Sequence, residues 1–237
     1  GCASRRRGLL MAEQLPVHRQ LLLFERTEGV GHVTSNFAQL IALSEAPYIA
    51  LADQDDIWLP QKLALQMQAM LPLEQQMGPV PLLVCSDLRV VDSELSLINE
   101  SFWRLQKLNP TWINDWRNLL VQNMVTGCTS LFNRAAVSVI LPIPEDLAVF
   151  HDHWIATAVC LHGQVVALPE PTVLYRQHGR NVEAAHAFTP LYAGRKLKQL
   201  FTIIQRSQKV ALQLGHSLSF SALAWRKLKL NFSRFFL

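Results

Sequence analysis

From residue 21 to residue 175, short apolar runs alternate with segments of helical spacing, and this alternation constrains the fold more than any other feature of the chain. Residues 21–24 (LLLF) are an apolar run. Residues 36–44 (NFAQLIALS) have helical spacing, with Phe37, Leu40 and Ile41 on one face. Residues 48–52 (YIALA) run straight into Asp53 and predict a buried parallel strand. Pro60 suits the first turn of a helix reaching about Met70, with Pro72 as its stop. Residues 82–85 and 129–132 read as strands, and residues 134–141 and 152–161 as helices, the second closed by Gly163. Residues 165–168 and 173–175 read as short strands around Pro169 and Pro171. This order predicts an α/β domain with a mostly parallel, Rossmann-like sheet and helices on both faces. Ligands of such sheets gather beyond the carboxyl ends of the strands.

Composition removes several alternatives. With 50% hydrophobic and 17% charged residues the chain can bury a full core, which excludes wholesale disorder. Four cysteines without CxxC spacing exclude a disulfide scaffold and a zinc ribbon. No apolar run approaches the ~18 residues of a membrane span. The opening GCASRRRGLL lacks the apolar stretch of a secretory signal, so a reducing cytoplasmic setting is expected. A first residue of Gly rather than Met leads us to expect a start inside a longer protein. The net charge of +4 is unevenly spread. No acidic residue follows Glu183, whereas nine Lys and Arg do, which leaves the preceding residues at −5. We therefore divide the chain into a body, residues 1–190, and a basic helical tail, residues 191–237.

Four segments carry chemistry. Asp53-Gln54-Asp55-Asp56 follows an apolar run directly, and three carboxylates so close together repel one another unless a cation neutralises them. Hard oxygen ligands at this density suit Mg²⁺ or Mn²⁺, the usual partners of a diphosphate. The plainer alternative is an acidic turn that caps the Pro60 helix. His151-Asp152-His153-Trp154 opens a helix, where Asp152 is either a cap or a general base for a substrate hydroxyl. The two histidines, at i and i+2, do not face each other and make a poor metal pair. Residues 175–181 (YRQHGRN) follow a short strand. They form either a solvated loop or a site in which His178 ligates a metal and Arg176 or Arg180 meets phosphate. Residues 123–129 (NMVTGCT) place Gly127 where backbone can approach a ligand, or simply make a tight turn.

These segments, in this order, resemble the family 2 glycosyltransferases of the GT-A fold. The resemblance is strongest to the bacterial subgroup of rhamnosyltransferase-like enzymes of surface polysaccharide assembly. It runs from about Gly29 to Asn181. It rests on Gly31 with Asn36 and Phe37, the 48–60 block with Lys62, Ser86-Asp87, Asn123 with residues 126–129, the 151–154 quartet, and residues 175–178 with Asn181. The resemblance implies a nucleotide-sugar donor held by Asp53, Asp55, Asp56 and Arg176. It implies a Mn²⁺ or Mg²⁺ ion on Asp55 and His178, and Asp152 as the base that deprotonates the acceptor. The acceptor, a saccharide or a lipid-linked sugar, would lie against Gly127, Cys128, Thr129 and Trp154. The family also opens with a strand, a Thr-Tyr-Asn-like turn, a helix and a second strand bearing an Asp, which bind base and ribose. Nothing before residue 21 reads that way, so the chain is expected to lack a βαβ unit of ~30 residues at its N-terminus.

Three functions follow as expectations: an inverting, metal-dependent glycosyltransferase, an inactive remnant or a sugar- or polyphosphate-binding module, and a metal-dependent phosphohydrolase. The last lacks a second carboxylate cluster for a two-metal site. In the tail, Leu197, Leu200, Phe201 and Ile204 share one helical face among cations, and Leu223, Trp225, Leu228 and Leu230 follow. Such a tail either lies on the inner face of the cell membrane or packs on the body. Nucleic acid is not expected as a partner, because the acidic body repels phosphate and no nucleic-acid motif is present.

Overall fold

The computed structural model describes residues 33–145, 147, 150–177, 187–189 and 199–237. The expectations for residues 21–24, Gly29, Gly31, His178, Arg180, Asn181 and Leu197 lie outside these residues. So does the expectation about the N-terminal βαβ unit. In chain order the helices are α1 (Val33–Leu43), α2 (Lys62–Met77), α3 (Phe102–Gln106), α4 (Trp116–Val121), α5 (Val137–Ile140), α6 (His151–His162), α7 (Leu200–Gln213) and α8 (Phe220–Ser233). The strands are β1 (Tyr48–Ala50), β2 (Ile57–Trp58), β3 (Leu82–Val91), β4 (Leu97–Asn99), β5 (Ser130–Asn133) and β6 (Gln164–Arg176).

The domain is mixed α/β. Its six strands lie in the order β1-β5-β3-β6-β2, with β4 also on β3. Among the described residues only β3 and β6 run parallel, and the other pairings are antiparallel. This corrects the expected mostly parallel sheet, and with it the expected buried parallel strand at residues 48–52. An apolar run reports burial, not direction. Direction comes from the connection, and only the helical excursion from β3 to β6 returns the chain parallel.

β3 carries both cores by simple alternation. Leu82 and Val84 cluster with Met70 of α2 and Leu131 of β5. Leu83 and Cys85 join a larger core that includes Phe132 and Ile155, Ala158 and Val159 of α6. Helices therefore flank both faces. β6 is one strand rather than two. Pro169 and Pro171 are absorbed where its register on β3 shifts, with Ser86 opposite Leu168 and Asp87 opposite Pro171. α2 likewise continues through Pro72 instead of stopping there. Pro72 and Gln68, whose carbonyl loses its helical partner, are both exposed, so water satisfies the freed group. Gly163 closes α6 with extended backbone (φ −162°) rather than a left-handed turn. A Cβ there would collide with the Pro81 carbonyl.

α7 and α8 pack on the body. Ile204, Val210, Ala211, Leu223 and Leu230 belong to the same core as α6. Ser207 Oγ donates to Leu120 O at 2.6 Å, and Arg226 pairs with Asp115 at 2.8 Å. Lys227 Nζ donates to Gln122 Oε1 at 2.8 Å, and Arg234 Nε to Gln106 O at 2.9 Å. The expected face of Leu200, Phe201 and Ile204 is split: Ile204 is buried, Leu200 packs against the core, and Phe201 is exposed. The boundary expected between residues 190 and 191 falls outside the described residues. No helix among the described residues is long and apolar enough to cross a membrane.

Candidate functional site

β1 and β2 stand at opposite ends of the strand order, so residues 51–56 cross the end of the sheet. Backbone bonds pin this crossing on both sides. Leu51 N–H donates to Ser130 O at 3.3 Å, and Leu59 N–H to Thr172 O at 2.8 Å. The acidic turn is thereby held at the carboxyl end of β1. Asp56 Oδ1 accepts the Arg176 N–H at 3.1 Å, which ties the turn to the end of β6. Asp56 Oδ2 is buried with no hydrogen-bond partner among the described residues.

Ligand atoms of Asp53, Asp56 and Cys128 lie within 4.8 Å of one another. Burial pushes the Asp56 carboxyl up to about 6, the Asp53 and Asp55 charges push it further, and the Cys128 thiol and Arg176 N–H pull it back. Burial and the Asp55 charge also raise Asp53. The Cys128 thiol is buried, and burial with the neighbouring Asp56 holds it well above its ordinary range. It is therefore a protonated thiol, not a nucleophile. Tyr175 is raised by burial and then by the fields of Cys128 and the three aspartates.

The sequence gives less warning of Lys62. It is 1% exposed, its Nζ donates to Gln66 Oε1 at 2.8 Å and sits 4.4 Å from the centre of the Trp58 ring. Burial lowers it to about 8, and the Cys128 thiol group pulls it back up. Cys128 therefore interacts electrostatically with both Lys62 and the acidic turn. Gln66 Nε2 in turn donates to Thr129 O at 2.6 Å. The signal in the sequence is that Lys62 is the lone charged residue between Asp56 and Glu74.

Asp152 sits on the far side of the same three-residue turn, Gly127–Thr129. Its Oδ2 accepts the Gly127 N–H at 3.2 Å, and its Oδ1 accepts Asn123 Nδ2 at 3.2 Å and the His153 N–H at 2.6 Å. His151 stacks on Phe37 with ring centroids 3.9 Å apart. Neither of its ring nitrogens has a hydrogen-bond partner among the described residues, and burial lowers it to about 4. A Cβ on Gly127 would stand 2.9 Å from His151 Nε2, so Gly127 is required for close approach. His153 points elsewhere, with Nε2 2.6 Å from Leu119 O.

The structure therefore brings together Asp53, Asp56, Cys128, Gly127, Asp152 and the backbone of Arg176. Two of the expected acceptor residues are buried. Trp154 is 4% exposed and its Nε1 donates to Ile140 O at 2.8 Å, so it packs in the core and offers no face to a sugar. Thr129 is 1% exposed and its Oγ1 donates to Thr126 O at 2.8 Å, which makes it a turn residue. Cys128 faces the acidic turn rather than an acceptor wall. Asp55 is not in the ligand group, and His178 lies outside the described residues. Asp53, Asp56 and Cys128 are the described residues that could together hold a metal ion, and Asp56 Oδ2 is the oxygen among them without a hydrogen-bond partner. No protein-family model matches the chain, and a search of curated proteins finds no match.

Proposed function

We propose that this chain carries the catalytic domain of a metal-dependent, inverting glycosyltransferase of the GT-A fold. It moves a sugar from a nucleotide-sugar donor to a hydroxyl of a saccharide or lipid-linked acceptor. The observation that carries the reading is the convergence of two carboxylate groups on one turn. Asp53 and Asp56 lie against Cys128, and Asp152 is bonded to Gly127 beside it. Asp53 and Asp56 would hold Mn²⁺ or Mg²⁺, with Asp55 adding charge nearby. When bound, such an ion offsets the charge of a leaving diphosphate.

The chain's own residues supply the rest. Asp152 is held in one orientation by three donors and takes the proton of the acceptor hydroxyl. The acceptor oxygen then bonds to the anomeric carbon as the bond from that carbon to the diphosphate breaks. Lys62 stays largely protonated at pH 7 and brings positive charge to the surroundings of Cys128.

A second reading, a sugar-binding module without catalysis, is favoured by the three donors on Asp152, an arrangement that also serves a structural corner. A donor screen separates the two. Purified protein with Mn²⁺ and a panel of nucleotide sugars should release nucleoside diphosphate from at least one donor, and the release should stop in chelator. Donor binding without release from any member of the panel supports the module.

A further inference from the structure

α7 and α8 place their cations differently. α7 buries Ile204, Val210 and Ala211 and turns Arg206 and Lys209 to solvent along with Phe201 and Leu212. α8 buries cations beside Leu223 and Leu230. Its cations Lys227 and Arg234 are 5% and 2% exposed and engage Gln122 and Gln106. Its outward face instead shows Trp225, Leu228 and Phe232, at i, i+3 and i+7, and Phe236 continues the stripe. Trp225, Phe232 and Phe236 are 71%, 66% and 76% exposed. Lys229 is exposed on the same face. The Phe232 and Phe236 rings pack edge to face, 5.1 Å between centroids, so the stripe is a formed surface. Contiguous aromatic surface of this kind is uncommon on a protein that keeps it in water.

We propose that the outer face of α8 docks onto an anionic lipid bilayer, with Trp225, Phe232 and Phe236 at the level of the headgroups and acyl ends. Charge selects this occupant. No acidic residue follows Glu183, and Arg206, Lys209 and Lys229 are exposed. Two copies meeting through this face would oppose Lys229 to itself, whereas anionic headgroups complement it. Trp and Phe beside Lys is also the composition that settles at a bilayer interface. The helix is anchored by its buried cations, and no helix among the described residues spans, so contact is peripheral. This surface is not the face that helical periodicity alone selects, because Ile204, Leu223 and Leu230 are used in the core. The inference does not depend on the transferase reading.

The test is flotation of the full chain with vesicles of phosphatidylcholine alone or with about one third phosphatidylglycerol. Binding is expected to the anionic vesicles at low salt, to fall with added salt, and to be weak on the neutral ones. Trp225→Ser with Phe232→Ser, both at exposed positions, should keep the thermal transition and lose flotation. Lys229→Glu should weaken binding by about tenfold or more, since each cation near such a surface is worth roughly fivefold. Quenching of tryptophan fluorescence by brominated acyl chains should disappear in Trp225→Phe while flotation persists. The proposal is overturned if the wild-type chain does not float with anionic vesicles. Equal flotation of the double Ser variant, or a dimer that this variant dissolves in the absence of lipid binding, also overturns it.

Discussion

Two carboxylate sites in this domain are built differently, one buried within a strand and one half-buried in a turn at a strand end. Asp87, on β3, is 3% exposed and fully engaged. Its Oδ1 accepts the N–H groups of Leu88 (2.8 Å) and Trp103 (3.1 Å), and its Oδ2 accepts the Ser101 hydroxyl. Ser101 in turn caps α3. The acidic turn has three aspartates within four residues, and Asp56 Oδ2 has no hydrogen-bond partner among the described residues. Burial raises the pKa of Asp87 as well, but the Ser101 hydroxyl and the Leu88 and Trp103 N–H groups oppose it. Asp53 and Asp56 carry the penalty of burial together with mutual repulsion. A fold does not hold carboxylates this way for stability, because repulsion and desolvation both cost free energy. Asp87 is a joint. The acidic turn instead crowds charge together.

The largest effect should come from neither site but from the group that the acidic turn is held beside. Asp152→Asn is expected to lower glycosyl transfer by ~10²–10⁴-fold, while metal-dependent donor binding persists. Steady-state rates alongside calorimetric binding check this, and loss of the folding transition instead would class Asp152 with Asp87 as a joint. Asp87→Ala should destabilise the fold by about 4 kcal/mol, because it strands two N–H groups and a hydroxyl in the interior. Urea denaturation measures it, and a change below ~1 kcal/mol would erase the contrast between the two sites.

Acid sensitivity sharpens the picture. His151 and His153 are held near 4 by burial, below the ordinary 6.5, so the folded rings stay neutral while the unfolded chain takes up protons first. Stability should therefore fall as pH drops from 6.5 towards 4, by about 3 kcal/mol for each ring at the acid end. Asp56 acts with the opposite sign. Its folded pKa is raised from 3.8 to about 6, so its contribution to stability is lost as pH rises through that window. His151→Phe keeps the stack on Phe37 and should flatten the acid limb of a Tm-against-pH curve. The smallest effect is expected from Asp56→Asn in chelator at neutral pH: a gain of about 1 kcal/mol from relieved repulsion, reduced by partial solvation. A loss of stability would mean that Asp56 is structural after all.

Much of this was legible in the residues. The acidic turn, the Asp152 helix and the Gly127 turn are local patterns, and local patterns survive folding. What the sequence hid is direction and partnership. Residues 48–50 and 130–133 look like any buried strands, yet they pair antiparallel, because apolar content carries no sense of direction. Pro72 and Pro169 read as stops, but an exposed helix face and a register shift absorb them. Trp154 looked like a sugar platform because nothing in the sequence shows that its indole N–H is spent on Ile140. Lys62 and Cys128 are 66 positions apart in the numbering, so only the fold reveals that the two groups interact.

On the proposed function the acidic turn is built for a cation and a diphosphate, whereas Asp87 is built for the fold. Isothermal titration of the full chain with a panel of nucleoside diphosphates, in Mn²⁺ and in chelator, tests it most directly. Binding of at least one nucleotide is expected to require Mn²⁺, to be abolished by Asp53→Asn with Asp56→Asn, and to survive Asp152→Asn. Nucleotide binding of equal strength in chelator, or binding that persists in the double variant, would contradict it.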